Sequence, residues 1–338
     1  MLDPELTRGW LDFDQFQARY EKVPVREHSN CVTDAVPDPL LSVVLVTYQH
    51  AQYIESAIES VLMQQTTFPF EFIIGDDDSN DGTREICLYY AERFPDRIRL
   101  FLHHRENNIS VLDRPTGIFQ IAFNLLRSRG RYLALTSGDD YWTDKAKLET
   151  QVQYLEKHTN VSLTYHDHLR LHHGSDTPEG PFKKERIQSV VGRNIFGKLP
   201  KEFLQIMQED SFMKYFWRSV GETKHLPNIS PLVIRIHPAS MFTSLHEDLV
   251  IQQKLNYFRN LHAIQKNNRK EQKKVKRLLG IRAIKKYIKS KDDINIKKLI
   301  KTAKLVIIDN EARYGAFEII KRKTLKHVDF RKNKNFSG

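Results

Sequence analysis

What most limits the fold of this chain is an alternation in its first half: short apolar, β-branched runs take turns with segments of helical periodicity. Residues 40–48, Leu-Leu-Ser-Val-Val-Leu-Val-Thr-Tyr, are too short for a typical helix and too continuously apolar for a half-exposed strand, so they predict a buried one. Tyr53, Ile54, Ala57, Ile58, Val61 and Leu62 then recur at helical spacing. The same reasoning predicts strands over residues 70–75, 98–102 and 132–136, with helices over 84–94, where Pro95 marks the end, and over 117–129. Strand and helix in strict turn predict an α/β fold, a mixed, mainly parallel sheet flanked by helices. In such sheets ligands bind outside the carboxyl ends of the strands.

Acidic residues collect at those ends. The strand at 132–136 runs into Ser137-Gly138-Asp139-Asp140, and the strand at 70–75 runs into Asp76-Asp77-Asp78-Ser79-Asn80-Asp81-Gly82. Adjacent carboxylates raise each other's pKa, so such a pair is tolerated best beside a divalent cation or another positive charge. A plainer reading stands next to this one: Asp139 or Asp140 could cap a helix beginning near Thr143, and Ser79 or Asp81 could cap the helix at Arg84. Neither G-x-G-x-x-G nor G-x-x-x-x-G-K-[ST] occurs, so no familiar glycine loop is present to cradle phosphates.

Taken together, residues 43–48, residues 73–83 and Ser137-Gly138-Asp139-Asp140-Tyr141-Trp142 resemble glycosyltransferase family 2 in order and spacing, over roughly residues 40–240. The resemblance implies a GT-A fold, Rossmann-like, and an inverting transfer from a nucleoside-diphosphate sugar, expected to be a UDP-sugar, with Mg²⁺ or Mn²⁺. It implies that Thr47, Tyr48 and Asp77 contact the donor, with Asp76 and Ser79 supporting that turn. Asp139 becomes the second acid of the family's D-x-D motif, bridging metal to diphosphate, with Asp140 beside it as a further metal ligand. Ser137 stands where the first acid of that motif often stands.

Further along, residues 148–155 predict an amphipathic helix and residues 161–165 a strand. His166, His168, His172 and His173 lack companion cysteines for a zinc site and are expected at the surface or in a loop, and residues 174–186 are expected to form a loop that orders over substrate. The Gln208-Glu209-Asp210 stretch resembles the family's acidic segment ahead of a helix, which implies that Asp210 is the general base. A first-turn helix acid is the alternative. Arg235 and His237 resemble a later family stretch that touches the diphosphate, and a buried structural pair is the alternative.

Charge divides the chain. From Lys266 onward there are 24 Lys and Arg against 7 Asp and Glu, whereas the residues before it carry 29 against 35. The expected organisation is an N-terminal helix and linker over 1–39, the catalytic domain over 40–245, and a basic helical region over 246–338. Within the domain, 40–142 is the nucleotide-sugar half and 143–245 the acceptor half. A basic amphipathic tail over 266–338 can lie on an anionic membrane, which suits a growing surface glycan or lipid-linked saccharide as acceptor. A solvated basic face is the alternative, and nucleic acid is not an expected partner because no recognised binding motif accompanies the lysines. Two cysteines, Cys31 and Cys87, and the absence of any apolar run of spanning length point to a cytoplasmic protein, at most peripheral to the membrane. The rival class is a non-catalytic nucleotide-sugar or glycan-binding protein that keeps the fold.

Overall fold

The structure, a computed structural model, describes residues 7–28 and 31–238, together with helical positions 253, 256, 257, 260, 261, 263 and 264. The chain divides into two compact units, residues 1–246 and 247–338. In the second unit the described positions include buried Gln253 and Leu261. The basic tail at 266–338, with its expected membrane contact, lies outside the described residues. Among the described residues no helix is long and apolar enough to cross a membrane.

The first unit opens with α1 (Phe13–Tyr20), β1 (Arg26–His28) and α2 (Val32–Ala35). The predicted alternation follows as β2 (Leu41–Thr47), α3 (Ile54–Leu62), β3 (Phe70–Asp76), α4 (Thr83–Arg93) and β4 (Ile98–Leu102). A small hairpin, β5 (Ser110–Val111) and β6 (Arg114–Pro115), precedes α5 (Ile118–Leu126) and β7 (Tyr132–Ser137). Then come α6 (Lys147–Lys157), β8 (Val161–Tyr165), β9 (His168–His172), β10 (Glu179–Phe182), β11 (Val191–Arg193), α7 (Glu209–Val220), β12 (Glu222–His225) and β13 (Leu232–Ile236).

Eight strands form the main sheet in the order β1-β4-β3-β2-β7-β11-β8-β12. Four adjacent strands, β4, β3, β2 and β7, are parallel: β2 pairs with β3 from Leu41↔Phe70 to Thr47↔Asp76 and with β7 from Leu41↔Tyr132 to Val46↔Ser137. Thr47, Asp76 and Ser137 therefore end at one edge. Because β3 lies on one side of β2 and β7 on the other, the strand order reverses at β2, and a crevice opens there at the carboxyl ends.

Alternation of side chains across the strands builds two cores. Leu41, Val43 and Leu45 of β2, with Phe72 and Ile74 of β3, cluster with Ile54, Ala57, Ile58 and Val61 of α3. Those four helix residues recur at the spacing that puts them on one face, which is why this stretch folds as a helix against the sheet. On the opposite face Phe101 meets Phe123 of α5 with ring centroids 5.3 Å apart, and Phe119 and Phe123 in turn meet Phe16 and Phe13 of α1. Truncating one such buried ring to alanine costs about 3–5 kcal/mol.

Two expectations need correction. Of His166 and His168, expected at the surface or in a loop, His166 does lie in the loop between β8 and β9 but is 1% exposed, and His168 is 0% exposed within a strand. His168 opens β9, the central strand of a second, three-stranded sheet ordered β10-β9-β13, so neighbours cover it from both sides. Residues 174–186 are not wholly loop either, since β10 pairs antiparallel with β9. Its Gly180-Pro181 pair reads as a breaker, but an edge strand tolerates proline because one side of its backbone needs no ladder bond.

Candidate active site

The crevice begins where β2 and β3 end. Thr47 offers its carbonyl oxygen to the Asp77 amide at 3.0 Å, tying the acidic turn to the tip of β2. Three successive carboxylates would repel one another, and two arginines resolve this. Arg84 donates from Nε to Asp76 Oδ2 at 2.6 Å and approaches Asp78 at 3.3 Å, while Arg105 pairs with Asp77 Oδ2 at 3.0 Å. The Ser79 amide donates to Asp76 at 3.3 Å, and Ser79 Oγ accepts from the Gln49 amide at 3.0 Å. Asp78 adopts a left-handed φ of 65°, a conformation that Asp tolerates better than most residues. Asp81 accepts from the Thr83 amide at 3.1 Å just ahead of α4, but the N-cap position of that helix is Gly82 and no side chain caps it, so the capping reading of Ser79 and Asp81 does not hold.

Asp77 is the unusual member. Its Oδ2 accepts from Arg105 and also from Asn108 Nδ2 at 3.0 Å, whereas its Oδ1 is buried and has no partner. Burial pushes its pKa up to about 6; the Asn108 and Arg105 contacts oppose that rise, and the Asp76 and Asp78 charges add to it. Next to it the Tyr48 ring is 38% exposed, with the Arg105 guanidinium carbon 4.1 Å from its centroid. An exposed aromatic face beside an unmet buried acceptor suits a planar ligand with an N–H donor.

On the other side of β2, the Gly138 amide donates to the Val46 carbonyl at 3.0 Å, and a Cβ at Gly138 would come 2.3 Å from Thr47 Oγ1. Only glycine lets the 137–140 turn close on β2 this tightly. The two acids that follow part company. Asp140 is 3% exposed, with Oδ1 accepting from the Arg235 amide at 2.9 Å and Oδ2 from Ser137 Oγ at 3.1 Å. Asp139 instead turns its Oδ2 to His237 Nε2 at 3.2 Å, with His50 Nε2 at 4.0 Å. Burial works to raise the Asp139 pKa, but His50, Ser137 and His237 hold it below the usual range. Burial and the Asp139 charge together push Asp140 well up. One carboxylate of the pair is thus kept charged and the other favours its proton. Neither caps a helix: α6 starts at Lys147, and Asp144 accepts from the Ala146 amide ahead of it.

Strand β13 reaches this turn through an antiparallel bridge between Tyr141 and Val233. Arg235 donates to the Asp139 carbonyl at 2.9 Å and to Ser56 Oγ at 3.0 Å, and its guanidinium lies 4.5 Å from the Tyr141 ring and 5.2 Å from the Tyr53 ring. The His237 ring lies tilted against that of Tyr53, with centroids 5.0 Å apart. Thr47 Oγ1 lies 3.0 Å from His50 Nδ1, so one strand tip supports Asp77 on one flank and the His50–Asp139 contact on the other. Among the described residues no three of His, Cys, Asp and Glu stand arranged to hold an ion.

Asp210 lies in the first turn of α7 beside Glu209. Burial raises the pKa of Asp210, against the pull of Lys214 and Arg186, and burial with the Asp210 charge pushes Glu209 up to about 8. Arg186 lies near enough to both Asp210 and Asp140 for each to act on its charge. Through Arg186 the acid on α7 is joined electrostatically to the turn after β7. Sequence reasoning missed Arg105, Asn108, His50 and Arg186. The first two sit just past the end of β4, a position that the strand-end rule applied to β2, β3 and β7 would have singled out.

Residues 42–172 match the sequence model of the family described as Glycosyl transferase family 2. A Bacillus subtilis protein provisionally named teichuronic acid biosynthesis glycosyltransferase TuaG is 38% identical over 159 residues, 45% of this chain and 59% of that one. An uncharacterized Mycobacterium bovis protein is 40% identical over 126 residues, 37% of this chain and 34% of that one, so the chain spans only part of these relatives. Among solved structures, Staphylococcus aureus TarS 1–349 aligns with a TM-score of 0.51 at 17% identity, covering 78% of each chain. The mannosyltransferase PcManGT from Pyrobaculum calidifontis, solved with GDP-Man and Mn²⁺, aligns at 0.50 and 14% identity over 90% of this chain and 89% of that one. At such identities the likeness shows the fold alone, and that fold is GT-A.

Proposed function

We propose that this protein, whose residues 42–172 are a glycosyl transferase family 2 segment, is a metal-dependent inverting glycosyltransferase. It takes a sugar from a nucleoside-diphosphate sugar, a UDP-sugar in this reading, and delivers it to a hydroxyl of a surface polysaccharide or lipid-linked saccharide. One observation carries the reading: across the tip of β2, an unmet buried acceptor on Asp77 is matched by the carboxylate of Asp139 facing two imidazoles. The provisional assignment of TuaG to teichuronic acid biosynthesis supports a surface polymer as acceptor.

Tyr48 offers its exposed face to the base, and Asp77 Oδ1 accepts from the imide N–H of uracil. Asp139 and His237, with His50, would hold Mg²⁺ or Mn²⁺. These three groups do not by themselves enclose an ion, so diphosphate oxygens and water would complete its shell; His50 is held through Nδ1 by Thr47, as a ligating imidazole usually is through its second nitrogen. An ion held there would supply positive charge against the charge developing on the leaving diphosphate. Asp140 serves this site from behind, holding the Arg235 backbone and Ser137 in place. Arg235 and His237 face the diphosphate. Asp210, its pKa raised by burial, removes the acceptor proton as the hydroxyl oxygen attacks the anomeric carbon from the face opposite the diphosphate.

Calorimetric titration of UDP with Mn²⁺, followed by NMR of the anomer formed from a UDP-sugar panel, tests the reading. Binding and an inverted product are expected. No UDP affinity, or a product of retained configuration, would overturn it.

A further inference from the structure

A concentration of positive charge lies beside Asp210 in a part of the chain where acids outnumber bases. Strand β9 brings Arg170 opposite Glu179 of β10 in register, and the Arg170 guanidinium lies 4.3 Å over the Phe182 ring. The ring contact leaves the Arg170 Nε buried without a hydrogen-bond partner. Four residues past β10, Arg186 is fixed by its backbone: its carbonyl accepts from Ser189 Oγ at 2.7 Å, and its amide donates back to that hydroxyl at 3.3 Å. Its Nε, too, is buried and unpartnered.

Lys184 and Lys214 complete the group. Arg186, Arg170 and Lys214 each act to lower the pKa of Lys184, the mark of like charges packed together. None of the four cations takes part in a salt bridge among the described residues, although exposed arginines elsewhere, such as Arg131 and Arg218, do. The neighbouring His168 adds no charge to the group, because burial and the charges of Arg186, Arg170 and Lys184 hold it neutral. Cations gathered with buried, unsatisfied donors cost free energy until an anion accepts from them.

We infer that Arg170, Lys184, Arg186 and Lys214 form a subsite for an oxyanionic group, phosphate or carboxylate, carried by the sugar acceptor. The inference rests on the glycosyltransferase reading, in which Asp210 meets the acceptor hydroxyl. Arg186 neighbours Asp210, whereas the donor is accounted for at Tyr48, Asp77 and Asp139, so the anion belongs to the acceptor rather than to the donor diphosphate. Guanidinium groups supply the forked, charge-assisted hydrogen bonds that phosphate and carboxylate take best.

The test uses the full chain, with inorganic phosphate as one probe and UDP with Mn²⁺ as the other, in the wild type, in Arg170→Gln/Arg186→Gln and in Arg170→Lys/Arg186→Lys. The glutamine variant is expected to weaken phosphate binding at least tenfold and to leave UDP affinity within twofold. The lysine variant, which keeps the charge, is expected to retain most phosphate binding, and unchanged melting curves show that both variants are folded. Phosphate binding as tight in the glutamine variant as in the wild type would overturn the subsite. UDP affinity falling in step with phosphate would assign these cations to the donor and overturn the acceptor reading. A wild type that binds phosphate but not UDP would instead sink the donor assignment, an outcome distinct from both.

Discussion

His237 Nε2 lies 3.2 Å from Asp139 Oδ2, although 98 positions separate the two residues in the chain. Strand β13, bridged to Tyr141, carries the histidine back to the turn that ends β7, so a late segment completes a site begun by the early sheet. His50, Ser137 and this contact together hold Asp139 charged against burial, while its neighbour Asp140 favours the proton.

Asp139→Asn keeps the side-chain shape and removes the charge, so it separates a metal role from a packing role. In the wild type Mn²⁺ is expected to strengthen UDP binding, and in the variant this enhancement is expected to disappear, with turnover falling by about 10²-fold or more. Calorimetry with and without Mn²⁺ reads the first effect directly. Equal enhancement in both proteins would remove Asp139 from the metal site.

Asp77 predicts a pH dependence. Its folded pKa of about 6 lies above the ordinary 3.8, so between those values the folded chain keeps a proton that the unfolded chain has released, and this group's contribution to stability falls as pH rises through that window. Base recognition runs the other way, because only the ionised carboxylate is a full acceptor. UDP affinity is expected to be about tenfold weaker at pH 5 than at pH 7.5, since about one site in ten is ionised a pH unit below the pKa. Asp77→Asn is expected to bind weakly at both values, and it reports whatever the diphosphate's own titration contributes. A variant with the wild-type pH profile would show that Asp77 does not read the base.

Much of this was legible in the chain. The predicted strand at 98–102 coincides with β4, and β2, β3 and β7 differ from their predicted spans by no more than two residues at either end, because each is a buried parallel strand whose apolar run is its own signal. The acids at 76–77 and 139–140 do fall at strand ends. The second sheet was harder to see: β9 carries His168, Arg170 and His172 on alternate positions, a pattern that reads as exposed until β10 and β13 are known to flank it. The division of labour between Asp139 and Asp140 was not legible either, because it depends on Arg235 and His237 arriving from far along the chain.

Gly138 tests whether the turn must press against β2. In Gly138→Ala the new Cβ would sit 2.3 Å from Thr47 Oγ1 and 2.8 Å from His50 Nδ1, breaking the contact that orients His50. Overpacking of this kind costs about 1–3 kcal/mol. A modest loss of stability in urea melts is expected together with a disproportionate loss of Mn²⁺-dependent UDP binding. Loss of stability with full binding would mean that His50 is not needed at the metal.

The acids that open α7 separate a chemical role from a structural one. Asp210→Asn is expected to leave UDP affinity unchanged and to lower transfer by about 10²–10⁴-fold, the range a general base supplies. Glu209, held near a pKa of about 8 by burial and by the Asp210 charge, keeps its proton in the folded chain at neutral pH, where the unfolded chain has lost it. Its contribution to stability therefore falls as pH rises from its ordinary 4.5 through about 8, and Glu209→Gln, which never ionises, is expected to flatten that part of the stability profile. The same variant should retain transfer activity if Asp210 alone is the base. Urea melts between pH 5 and pH 9 with transfer assays on both variants decide the matter: activity lost in Glu209→Gln but kept in Asp210→Asn would exchange the roles of the two acids.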